Sequence, residues 1–280
     1  MYQTLIKPLF ADIKNFILDT LFPIRCLVCE KEDKNFICDG CKPRLKRLQH
    51  QHCAICQKPS IGGLTHPNCQ SPQAPEGLLS LLDYKDEKTA DILIKGKYQF
   101  VYDVYKTLGQ MLGDFLKTDH APLLAATDAL VPLPLHQRRL RWRGFNQAAI
   151  LCQTLSEQLG LPVVDALQRT KATKTQKDLK KEQRLQNVES AFTLASHFSP
   201  PQAWGGWPKA GRSGFPQKSQ SDFRGAPRGR TIENYDYDIK GKNLILIDDV
   251  TTTGSTLLEA VKVLKRNGAK AVWCLTVARD

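Results

Sequence analysis

Apolar residues recur along this chain in two rhythms. Four in a row, Leu244, Ile245, Leu246 and Ile247, predict a strand buried on both faces. Leu257, Leu258, Val261 and Leu264 then fall at helical spacing. Comparable apolar runs predict strands over 78–82, 127–132, 161–167 and 271–277, and helical periodicity covers roughly 87–96, 101–117 and 146–159. This alternation predicts an α/β fold with a parallel sheet, flanking helices and right-handed crossovers. Near the N-terminus, Ile6, Leu9, Phe10, Ile13, Ile17 and Leu21 share one face of an amphipathic helix over 3–21. It packs on its own protein or docks on a partner or a membrane surface; Lys7 and Lys14 are few for a membrane. Residues 70–76 read as a linker and 169–186 as a polar segment.

Chemistry gathers where the central strand ends. Asp248 and Asp249 come first, then Thr251, Thr252, Thr253, Gly254, Ser255 and Thr256, then the helix. The C-terminal edge of an open α/β sheet is where ligands bind. A loop of N–H groups and hydroxyls at a helix N-terminus suits a phosphate. Gly254 lets the backbone approach it closely. Two carboxylates repel a phosphate but accept hydrogen bonds from a sugar diol. A phosphate beside a diol describes a ribose 5-phosphate. An ordinary buried strand with a capped helix is the alternative, and the other common phosphate loop, GxxxxGK[ST], is absent.

Composition narrows the class. With 280 residues and 41% hydrophobic content the chain can hold one large α/β domain and a small module. A formal charge of +12 favours polyanions or phosphorylated ligands. There is no apolar run of transmembrane length and no basic-then-apolar leader, so a cytoplasmic protein is expected. Seven of the nine cysteines lie between positions 26 and 69, which in a reducing compartment points to metal rather than disulfides.

Those cysteines form two sets. Cys26, Cys29, Cys38 and Cys41 are two CxxC knuckles, a strong structural zinc signal. Cys53, Cys56 and Cys69 need His66 as a fourth ligand; otherwise His66 is a solvated loop residue and the set a remnant. Either one or two zinc ions follow. Short loops like these bury no core, so metal would supply their folding free energy, separately from the α/β domain. Lys42, Arg44, Lys46 and Arg47 read as a solvated helix or a nucleic-acid contact.

The acid pair and hydroxyl loop resemble the signature of type I phosphoribosyltransferases. The resemblance implies that Asp248 and Asp249 hold the ribose hydroxyls of phosphoribosyl pyrophosphate and that 252–256 cradle its 5-phosphate. Further motifs are similar to the ComF family of competence and GntX-like proteins: Pro132-Leu133-Pro134-Leu135-His136, an Arg-rich loop, Arg143-Gly144-Phe145-Asn146-Gln147, and Gln176 through Arg184 to Asn187-Val188. After the amphipathic N-terminal helix, taken as 1–22, that likeness implies a double-zinc-ribbon-like module over 23–70 and a type I phosphoribosyltransferase-like domain over 77–280. It also implies a role in natural transformation, handling incoming single-stranded DNA beside a helicase or recombination factor. Residues 197–230 depart from the family pattern. Lys209 to Arg230 hold six basic residues against Asp222 alone, with aromatics nearby at Trp204, Trp207, Phe215 and Phe223. A disordered surface insertion or a flexible nucleic-acid contact is expected there.

Three functions compete. A transferase would displace pyrophosphate, accompanied by Mg2+, from ribose C1, with Arg138, Arg139, Arg141 and Arg143 stabilising the leaving charge. No catalytic residue and no acceptor pocket can be read. A DNA-binding module that retains the nucleotide site is the second, with the same arginines on DNA phosphates. A scaffold docking partners through the N-terminal helix is the third.

Overall fold

The computed structural model describes residues 24–98, 101–171, 191–195 and 237–280. The expected helix over 3–21, most of the polar segment and the insertion at 197–230 lie outside the described residues. Strands β1 (Gly77–Asp83), β2 (Ala129–Pro132), β5 (Asn243–Thr251) and β6 (Ala271–Arg279) form one sheet in the order β1-β6-β5-β2. All three pairings are parallel, and Asp248 stands opposite Thr276. The expected α/β class with flanking helices holds.

Residue alternation along β5 assigns the two faces. Ile245 and Ile247 pack with helices α1 (Glu87–Tyr98), α2 (Asp103–Asp119) and α5 (Gln147–Leu159) through Ile92, Tyr105, Leu112 and Leu151. Leu244 and Leu246 pack on the other side with Leu257, Val261 and Leu264 of α6 (Ser255–Arg266). All four β5 residues are at most 1% exposed, each worth roughly 1.5–3 kcal/mol of burial. Short helices α3 (Ala121–Ala126) and α4 (Gln137–Arg143) flank β2.

Several elements differ from expectation. The predicted strand over 161–167 does not join the main sheet as a strand. Pro162 has no N–H, so only a bridge between Leu130 and Val163 forms there. The ladder resumes as β3 (Leu167–Arg169), antiparallel to β4 (Phe192–Leu194) in a separate two-stranded sheet. The arginine-rich stretch is helix α4, not a loop. His136 caps its start by accepting from Arg138 N–H at 3.2 Å, and Gly144, at φ +80°, ends it in the left-handed conformation. The run from Lys42 to Arg47 is one 3-10 turn followed by an extended stretch. Its cations meet carboxylates: Lys42 with Asp39 at 2.7 Å, Lys46 with Asp83 at 3.0 Å, Arg47 with Asp119 at 3.2 Å. That pairing weakens the nucleic-acid reading of this run.

The cysteine-rich segment is not tethered by a loose linker. Leu48 N–H donates to Leu81, and Gln51 bonds both backbone groups of Ser80 at 2.9 Å. These bonds cover the outer edge of β1, which would otherwise present unpaired backbone groups. Glu76, inside the expected linker, pairs with Lys265 at 2.5 Å; its N–H donates to Val272 O, and its carboxylate Oε2 accepts from Val272 N–H. Cys26, Ile37, Cys41 and Leu45 belong to the same apolar cluster as Leu79, Leu82 and Tyr105.

Candidate functional site

β5 runs past the apolar run to Thr251, so Asp248 and Asp249 lie within the strand rather than after it. Alternation therefore sends the two carboxylates to opposite faces. Asp249, 6% exposed, follows Ile247 onto the α2 side. Its Oδ2 meets Lys97 Nζ of α1 at 2.9 Å and accepts from the Tyr105 hydroxyl of α2 at 3.4 Å. Burial, then the Asp249 charge, push the Tyr105 hydroxyl well above its usual pKa, so it stays a donor. Asp248 Oδ1 accepts from Asp249 N–H at 2.8 Å. Part of Asp248's surface reaches solvent, yet its carboxyl is crowded. Desolvation first, then the charge of Asp249, push its pKa up to about 7, against the pull of Lys97 and Arg169.

The hydroxyl loop is shorter than expected. Thr251 is a buried strand residue, 4% exposed, and Gly254, at φ +74°, is already the N-cap of α6. Thr252 and Thr253 are half-buried between them. Thr253 Oγ1 and Ser255 Oγ are 3.1 Å apart, and Thr256 sits half-buried in the first turn. The loop N–H groups and the start of a 12-residue helix thus lie within a few residues of the acid pair.

The four arginines of α4 divide by face. Arg139 and Arg143, one turn apart, face inward. Arg143's charge acts on Tyr105, and Arg139's acts on Arg169. Arg138 and Arg141 are exposed. Burial first, then its neighbour Arg143, lower the Arg139 pKa. Sequence reasoning missed Arg169 of β3, 7% exposed and stacked 5.3 Å from the Phe192 ring. Burial, then Arg139, pull its pKa down to about 10, while Asp248 opposes them. It also missed Lys97 and Tyr105. No local motif surrounds any of the three. Trp142 of α4 is 58% exposed and meets Tyr98, 46% exposed, edge-to-face at 6.0 Å.

Both cysteine sets converge. In each, the four ligand atoms lie within 4.8 Å of one another. Thiolates about 2.3 Å from a tetrahedral zinc stand about 3.8 Å apart. The Cys29 and Cys38 sulfurs are 3.8 Å apart. In the second set His66 Nδ1 is 3.2 Å from Cys56 Sγ, while Nε2 lies 3.1 Å from the Pro59 carbonyl. An Nε2–H donated to that carbonyl frees Nδ1 as the ligand, a usual second support for a metal-bound histidine. Both donor sets fit structural zinc, and none of the nine cysteines forms a disulfide. The knuckles are repeats. Glu30 and Gln57 each follow the second cysteine with φ 61° and 64°. Each N–H returns to the first cysteine's carbonyl.

Gln57 also ties the second knuckle to the hydroxyl loop. Its Nε2 donates to Ala54 O at 2.7 Å and Thr253 O at 3.1 Å. Its Oε1 accepts from Arg279 Nη2, and Arg279 Nη1 donates to His52 O at 3.2 Å.

Comparison with known proteins agrees with this architecture. Residues 17–70 match the double zinc ribbon domain and residues 146–280 the phosphoribosyl transferase domain. The chain is 27% identical over 267 residues to competence protein F of Haemophilus influenzae, covering 92% of this chain and 98% of that protein. It is 29% identical over 249 residues to the DNA utilization protein YhgH of Escherichia coli K12, covering 85% and 89%. Competence protein ComFC of Bacillus subtilis is 25% identical over 264 residues, covering 91% and 89%. No helix among the described residues is long and apolar enough to cross a membrane.

Proposed function

Since the chain belongs to the ComF family, joining a double zinc ribbon to a phosphoribosyltransferase domain, we propose that it serves DNA uptake in natural transformation, in the cytoplasm. In this reading it binds single-stranded DNA and phosphoribosyl pyrophosphate, with Mg2+, through the phosphoribosyltransferase domain. The observation that carries the ligand is the junction of β5 and α6. Asp248 and Asp249 offer acceptors to a ribose diol there, and Thr252, Thr253, Gly254, Ser255 and Thr256 present hydroxyls and N–H groups to a 5-phosphate, with the buried Thr251 anchoring the loop's start in the strand. Lys97 neutralises one of the two acidic charges, which lowers the repulsion a phosphorylated sugar would meet. The inward-facing Arg139 and Arg143 are the cations we assign to the pyrophosphate charge.

DNA is supported by the outer face of α4. Arg138 and Trp142 are one helical turn apart and share that face, beside Tyr98 and near Arg141. Exposed guanidinium groups suit phosphates and an exposed indole suits an unpaired base, neither depending on sequence. The relatives carry names of competence and DNA utilization, which favours the same partner. A helicase or recombination factor of the uptake machinery fits as a further partner. Active transfer to a nucleobase or amine acceptor is the second reading. Asp248, with its pKa near 7, favours it, because such a carboxyl can exchange a proton at neutral pH.

The test is binding of a labelled single strand, with and without phosphoribosyl pyrophosphate and Mg2+, alongside an assay for released pyrophosphate. Strand and ligand binding without pyrophosphate release supports the first reading; release that depends on an added acceptor supports the second. Failure to bind either molecule would sink both.

A further inference from the structure

We propose that the second zinc knuckle holds the phosphate loop in its binding conformation, and that Gln57 is the positioning residue through which it does so. The inference rests on the reading of 252–256 as a 5-phosphate loop. It adds that metal occupancy at Cys53, Cys56, His66 and Cys69 is thermodynamically linked to ligand binding 196 residues away in sequence.

The geometry begins with the knuckle's own turn. Gln57 lies in the left-handed region, φ 64°, which a residue with a side chain rarely adopts unaided. Its N–H to Cys53 O, 3.1 Å, belongs to the turn that brings Cys53 and Cys56 onto one ion. Metal ligation thus holds Gln57 where a free chain would not put it. From there the side-chain amide is fully used, both hydrogens donated to Ala54 O and Thr253 O and the oxygen accepting from Arg279. Arg279 is 4% exposed and stands opposite Thr251 in the β5–β6 register, so the clamp is anchored in the sheet.

The bond to Thr253 O has a directional consequence. In a trans peptide the carbonyl and the following N–H point in opposite directions. With Thr253 O held toward the knuckle, the Gly254 N–H is turned away from it, toward the open side of the loop. That N–H is one of the donors a phosphate at the α6 N-terminus needs. Gly254 faces the knuckle closely: a Cβ built there would stand in ordinary van der Waals contact with Ala54 O, at 3.5 Å. Glu30, at the equivalent place in the first knuckle, is exposed and provides an internal control.

The experiment uses the full chain, zinc analysis, and calorimetry with phosphoribosyl pyrophosphate and Mg2+. Gln57→Gly keeps the favourable φ while deleting the side chain, and Gln57→Ala repeats the deletion independently. Both should retain the wild-type zinc content and bind the ligand about tenfold more weakly, whereas Glu30→Ala binds as wild type. Linkage is reciprocal, so saturating ligand should slow zinc release to a chelator from the second site in wild type and not in Gln57→Gly. Wild-type affinity in both Gln57 variants, or zinc release indifferent to ligand in wild type, overturns the coupling and leaves the loop reading standing. No ligand binding by the wild-type chain overturns both.

Discussion

Asp248 and Asp249 are adjacent in sequence yet sit in different electrostatic surroundings, because a strand turns successive side chains to opposite faces. Asp249 has a lysine at 2.9 Å and a tyrosine donor; Asp248 has mainly desolvation and a like charge. The sign of the consequence follows. A carboxyl near 7 when folded and about 3.9 when unfolded binds an extra proton in the folded state between those values. Its contribution to stability is fully present below about pH 4 and is lost as pH rises through 7. Urea unfolding at pH 5 and pH 8 should therefore show a fall with pH in wild type that Asp248→Asn reduces. In the proposed reading ligand binding runs the other way, since an ionised carboxylate is the better acceptor for ribose hydroxyls. Affinity for phosphoribosyl pyrophosphate should rise through pH 7 in wild type more than in Asp248→Asn. At pH 8 the substitution should cost about 1.5–3 kcal/mol of binding, as expected for a hydrogen bond to a charged group. Equal affinity of the two proteins at pH 8 in calorimetry would remove Asp248 from the site.

At the scale of elements, the zinc ribbon and the sheet form a continuous structure. The stretch after Cys41 pairs with the edge of β1, and two first-site ligands, Cys26 and Cys41, belong to the cluster that holds β1 and α2. A cysteine-rich segment of this length reads from sequence as a module whose metal and the domain's core are separate sources of stability. The shared cluster argues for coupled stability instead. Cys26→Ser should lower metal content by one zinc per chain from an expected two. It should also lower the unfolding midpoint of the α/β core, because losing the ion loosens atoms packed on Leu79 and Leu82. Metal analysis and thermal unfolding followed through the sheet check this together. An unchanged core midpoint after loss of zinc would restore the independent module.

For the whole molecule, the net charge of +12 matters less than its placement. Lys42, Lys46 and Arg47 are spent on neighbouring carboxylates, while Arg138 and Arg141 project from α4 beside Trp142 and Tyr98. Single-strand affinity should fall linearly with the logarithm of salt concentration, with a slope near 0.7 per phosphate contact. Changing Arg138 and Arg141 to Ala should weaken binding and reduce that slope by about 1.4. A variant with the wild-type slope would move the DNA surface elsewhere, with the basic insertion at 197–230 the next region to remove.

The sequence alone determined the parts whose signal is local. Four apolar residues, two acids and a hydroxyl loop need only their own order to mark a strand-to-helix turn as the candidate site for a phosphate and a diol. Cysteine spacing likewise announces its metal without reference to the rest of the chain. Tertiary structure decided what depends on residues far apart: Lys97, Tyr105 and Arg169 reach the acid pair from three other elements, and Gln57 reaches Thr253 across the zinc ribbon. It also decided that Arg139 and Arg143 look inward while Arg138 and Arg141 look out. The physical reason is that periodicity and motif report which backbone a segment prefers and which face it buries. Long-range charge and hydrogen-bond partners exist only once the sheet order β1-β6-β5-β2 has brought β1, over 77–83, beside β6, over 271–279.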